Sequence, residues 1–131
     1  MKLQSVVIAV VITVLAFGFF RSRNASAQDS LDGKTLVQLA KAGSDLKKPH
    51  DIDFFFYFPT QEQAEKVAPR LQALGLSTKI ELAAKGSNWV IHGNKTMVPS
   101  EAELERLRRL FDEIAAAQEG NYDGWGSEVV N

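Results

Sequence analysis

Apolar residues run almost without interruption from Leu3 to Phe20 and then fall into short periodic blocks divided by glycine, proline and polar clusters. The leading run follows Lys2, holds no charged residue and is succeeded by Arg21 and Arg23. A helix over it would reach about 27 Å at about 1.5 Å per residue, close to the roughly 30 Å of a bilayer's hydrocarbon layer. Residues 1–27 therefore read as a signal anchor with a single membrane span through residues 3–20. Ala25, Ser26 and Ala27 form a small-x-small site, so the rival reading is a signal peptide cleaved near Ala27, with a periplasmic or secreted product. Arg21 and Arg23 speak against cleavage, because positive charge on that flank hinders its translocation. Lys2 and the α-amino group balance them, which leaves the side of the membrane open.

Residues 28–50 read as a polar tether carrying a short amphipathic helix, Lys34 to Ala42, with Leu36, Leu39 and Ala40 on one face and Gly43 as its cap. Residues 51–131 read as the folded domain. Ile52 to Phe58 is aromatic on both faces, as a central strand requires, and Pro59 ends it. Thr60 and Gln63 form a capping box for a helix that buries Ala64, Val67, Ala68, Leu71 and Leu74 and stops at Gly75. Pro69, inside that pattern, predicts a kink or local break.

Thr78, Ile80 and Leu82 alternate with Lys79 and Glu81, the period of a strand with one wet face. A turn through Lys85, Gly86 and Ser87 leads to an antiparallel partner, Trp89 to Met97. Ser100 and Glu103 open a second helix with a Leu104, Leu107, Leu110, Phe111 and Ile114 stripe, ended by Gly120 and Asn121. Tyr122 to Val130 reads as a tight turn running into a last short strand. The fold class is α+β: a ferredoxin-like βαββαβ sandwich, its four-stranded antiparallel sheet covered on one face by two helices.

Composition narrows the function. Past Ala27 there are 12 Lys and Arg against 16 Asp and Glu, and a mildly acidic domain disfavours direct nucleic-acid binding. The absence of cysteine removes disulfides, thiolate metal sites and thiol nucleophiles. His50 and His92 are the only histidines, and neither sits in a metal-binding cluster. His92 with Asp51 or Asp53 suggests part of a triad, yet no Gly-x-Ser-x-Gly presents a nucleophile. No catalytic, cofactor or metal residues are assigned.

Three stretches carry a resemblance: Ala42-Gly-Ser-Asp-Leu-Lys-Lys-Pro-His-Asp51, Phe58-Pro-Thr-Gln-Glu-Gln-Ala64 and Tyr122-Asp-Gly-Trp-Gly126. Together they resemble the RraB family of ribonuclease E regulators, over roughly Leu36 to Val129. The resemblance implies a ferredoxin-like fold and a non-enzymatic, protein-binding role that inhibits ribonuclease E or a related endoribonuclease. The chain departs from the family pattern in its apolar leader and in lacking an acidic C-terminal tail. The alternative is an exported or membrane-anchored structural or ligand-binding domain of the same fold.

The candidate partner surface is Phe55, Tyr57, Trp89, Asp123 and Trp125. If Phe54, Phe56 and Phe58 point to the helices, Phe55 and Tyr57 point to the open face of the sheet, and Trp89 is expected beside them. Either a partner or the helix beginning at Lys34 covers that face. The Tyr122 to Gly126 motif has a sufficient structural reading, with Asp123 bonding the backbone of a turn, Gly124 at positive φ and Trp125 at the core edge; direct binding is the other reading.

Overall fold

The computed structural model describes residues 25–131. In chain order the elements are α1 (Ala25–Lys41), β1 (His50–Phe58), α2 (Gln61–Ala73), β2 (Ser77–Leu82), β3 (Trp89–Met97), α3 (Glu101–Ala116) and β4 (Asn121–Ser127). The expected membrane helix over residues 3–20 lies outside the described residues. Among those described, no helix is long and apolar enough to cross a membrane.

The strands form one antiparallel sheet in the order β2-β3-β1-β4, which places the first and third strands in the middle, as expected. Period-two alternation on β1 sends Ile52, Phe54, Phe56 and Phe58 to the helices, where all four are buried. Phe111 of α3 meets Phe54 and Phe56 edge to face, each at 5.1 Å between ring centres, the geometry that aromatic quadrupoles favour. Tyr122 closes this cluster at 5.2 Å from both Phe56 and Phe111. A Cβ at Gly93 would come within 2.7 Å of the Leu76 Cδ2 methyl, so a larger residue there would have to displace Leu76.

The helix ends follow elementary capping chemistry. Thr60 and Ser100 each accept the N–H of the third following residue, Gln63 and Glu103, at 3.2 Å. The return half of each capping box is engaged elsewhere: Gln63 Oε1 takes the Thr60 hydroxyl, and Glu103 pairs with Arg106. Gly43 (φ 108°) and Gly75 (φ 97°) end α1 and α2 in left-handed conformations. In both, the next two amides fold back on the helix: Gly43 N to Ala40 O and Ser44 N to Leu39 O; Gly75 N to Gln72 O and Leu76 N to Leu71 O.

Four expectations are corrected. The polar stretch before Lys34 is helical from Ala25, because Asp32, Leu36 and Leu39 share one face and are all buried. Helix α2 runs through Pro69 without a break; the proline is solvent-exposed, away from the buried stripe of Ala64, Val67, Ala68 and Leu71. Tyr122 to Gly126 is not a turn but most of strand β4. Its pairing with β1 slips by one residue between Phe55 and Phe56, so Asp123 is an extra residue in a bulge and Gly124 (φ 114°) supplies the positive φ there. Helix α3 is ended by Glu119 in the left-handed region (φ 60°), and Gly120 is instead required because any Cβ there would collide with the Phe58 ring and the Tyr57 carbonyl.

Candidate functional site

The sheet face turned away from α2 and α3 carries the polar chemistry. Residues 51, 53, 55 and 57 of β1 lie in register with 96, 94, 92 and 90 of β3, and none of these side chains is buried. No described helix packs over them: α1 docks against α3 in the helical layer, so it does not fold back across this face. Phe55 and His92 stack at 5.2 Å with ring planes 14° apart. His92 Nε2 donates to Asp53 Oδ1 at 2.8 Å, and Asn94 Nδ2 donates to the same oxygen at 2.8 Å. Since a carboxylate only accepts, the Asp53 contact places a proton on His92 Nε2. Thr96 Oγ1 donates to Asp51 Oδ1 at 2.6 Å, which orders the next carboxylate in the row.

Of the five residues expected on a partner surface, Phe55 and Tyr57 lie together here. Trp89 does not: it pairs with Phe58 and packs against the core from the helical side. The parity of β3 sets this, because Trp89 shares a face with buried Ile91 and Gly93. Trp125 is 3% exposed, and its indole N–H donates to Asp32 Oδ1 at 3.2 Å. Asp123, 5% exposed, sits at the bulge of β4. Burial raises its carboxyl to about 6, and burial followed by the Asp123 charge pushes the Tyr57 hydroxyl up.

Two polar assemblies have no counterpart in the sequence pattern. Asp32 and Arg108 form an ion pair at 2.6 Å, largely screened from solvent, that fastens α1 to α3 while the same carboxylate holds Trp125 of β4. Tyr122 beside them has its hydroxyl raised, chiefly by burial and then by the Asp32 charge. The second is a clasp between the α1–β1 loop and the C-terminal tail. His50, 1% exposed, donates from Nδ1 to Lys48 O at 2.8 Å and meets Ser44 Oγ through Nε2 at 2.6 Å. The Lys48 carbonyl requires a proton on Nδ1; on the other side, the Ser44 oxygen accepts the Val130 N–H at 2.8 Å and its hydroxyl lies 3.3 Å from the Val130 carbonyl.

A serine bonded to a histidine invites a nucleophilic reading, and burial with a third bond to backbone answers it. Ser44 Oγ commits its donor and an acceptor to a structural link, and Asp45 N to Val130 O at 2.6 Å reinforces the same link. On the open face, the His92 and Asp53 pair bonds Asn94 rather than a hydroxyl. Among the described residues no group of three or more His, Cys, Asp or Glu is placed to hold a metal ion.

The three stretches that carry the resemblance are thus accounted for: the first builds the Gly43 cap and the Ser44–His50 clasp, the second opens α2, and the third forms the bulged edge strand over the core. No curated protein matches the chain. The family model described as Regulator of ribonuclease activity B matches residues 29–127, a span that takes in α1 from its fifth residue through the end of β4; the chain belongs to the RraB family.

Proposed function

We propose that this chain is a protein-binding regulator that restrains a ribonuclease of the ribonuclease E type, without catalysis of its own, and that the partner docks on the open sheet face. The observation that carries this reading is the face itself: aromatic and carboxylate side chains arranged in register, half-exposed, with no described helix across them. Family membership supports a regulatory role directed at ribonuclease activity. The same reading holds the domain at a membrane through residues 3–20, facing the compartment of its partner.

Capture from a lysate with the full-length chain tests it. The expected result is recovery of an endoribonuclease and slower cleavage of its RNA substrate when the chain is added. Failure to recover or inhibit any ribonuclease, together with a mature N-terminus at Gln28, would favour the exported structural or ligand-binding domain instead.

A further inference from the structure

Resting on that reading, we infer that the open face seats an arginine side chain of the partner protein, its guanidinium on Asp53 and Asp51 and its stem along Phe55. Alternate residues of a strand lie roughly 7 Å apart on one face, so Asp51, Asp53 and Phe55 form a single row on β1. Asp53 engages only one oxygen with the protein: Oδ1 accepts both His92 and Asn94, and among the described residues no bond is made to Oδ2. Among the described residues Asp51 likewise accepts only through Oδ1, from Thr96. Two carboxylates oriented by neighbouring donors, each with a second oxygen turned to no other group, suit a planar cation that donates several parallel N–H bonds.

The neighbouring ring fits the same group. Phe55 is held by its stack on His92, and a guanidinium or its alkyl stem packs on an aromatic surface more readily than a hydrated ammonium does. The charge balance of the face agrees. The cross-strand register brings Lys79 and Glu81 of β2 beside His92 and Val90, so with Asp51 and Asp53 the acids outnumber the single lysine. RNA phosphate would meet repulsion there, whereas a cationic side chain is drawn in.

Amide chemical shifts of the isotope-labelled full-length chain, titrated with acetyl-arginine amide, acetyl-lysine amide and acetyl-citrulline amide, test the assignment. The arginine compound should perturb Asp53, Phe55 and His92 and bind several-fold more tightly than the other two. Asp53→Asn, which keeps an acceptor for His92 and Asn94, should weaken it about tenfold, in line with loss of a charge-assisted pair; Phe55→Leu should weaken it less while leaving the fold's shift pattern intact. Equal response to lysine and citrulline, perturbation confined to another surface, or displacement of the same signals by oligouridylate would overturn it. If wild type and Asp53→Asn capture a ribonuclease equally well and arginine amide does not bind, the seat falls and the regulator reading stands. Arginine binding without any ribonuclease captured keeps the seat and removes the regulator reading.

Discussion

Asp123 is held where its charge is unfavourable, and the consequence is a dependence of stability on pH. Its carboxyl stands at about 6 in the fold against an ordinary 3.8, with burial as the cause. A folded-state value above the unfolded one means that the native protein binds the extra proton, so stability is greatest below about pH 4 on this account and falls as pH rises through 6. Above that window the penalty is on the order of 3 kcal/mol, at about 1.4 kcal/mol per pKa unit. Asp123→Asn cannot ionise; it should match the wild type near pH 4 and exceed it by that amount at pH 7.5 in denaturant titrations. Parallel stability curves for the two proteins across this range would show that the group is better solvated than its burial indicates. The bulge that creates this position is not legible in the sequence, because Asp123, Gly124 and Gly126 carry the composition of a turn as well as that of an irregular edge strand. The face of Trp89 is legible in principle: it shares parity with Ile91, and the β2–β3 hairpin register sets it opposite Leu82, on the same face as Ile80.

At the scale of elements, order and type follow from the sequence, while the start of α1, the end of α3 and the start of β4 do not. Apolar periodicity and caps locate β1, α2, β2, β3 and α3, because each buries a face whose spacing is local. Helix α1 is longer than its pattern suggests, since its first turns look polar and their justification is remote: Asp32 meets Arg108 and Trp125, which no local pattern connects to it. The end of α3 yields a paired prediction. Glu119 bears the left-handed conformation that glycine tolerates better, so Glu119→Gly should stabilise the domain by up to about 1 kcal/mol. Gly120→Ala, one residue on, should destabilise it by about 1–3 kcal/mol through collision with Phe58. Thermal melts of opposite sign at adjacent positions are the expected signature. In α2, Pro69 is exposed inside an unbroken helix, so Pro69→Ala restores a backbone donor at no packing loss and should raise stability by roughly 1–3 kcal/mol; a lower melting temperature would mean that the proline's ring fixes the path of the helix.

For the whole molecule, the boundary of the cooperative unit is the issue. Hydrophobic periodicity alone makes a domain starting at residue 51 look complete, yet Leu36 and Leu39 of α1 are part of the buried core and Asp32 is tied to α3. Removing two buried leucines forfeits about 1.5–3 kcal/mol each, and the loss of Asp32 from beside Arg108 adds to that. Against a typical stability of about 5–15 kcal/mol this is a large share. A fragment of residues 51–131 should therefore show a broad, early melt or no transition at all, whereas one beginning at residue 29 should unfold in a single step. Equal, sharp transitions for both would show that α1 is an appendage. The clasp of Ser44 and His50 on Val130 acts at the same scale, because it joins the entry to β1 with the chain's last residues.

The docking of α1 also bears on how the open face is presented. From Asp32 back to Ala25 the backbone is regular helix, so any attachment made through the residues ahead of Ala25 pulls on a stiff rod clamped to α3 by an ion pair, not on a slack cord. An arm of that kind would fix the compass bearing of the Phe55 and Asp53 row relative to its mooring, and a helix-breaking insertion between Ala25 and Leu31 would let the domain swivel without altering a single residue of that row.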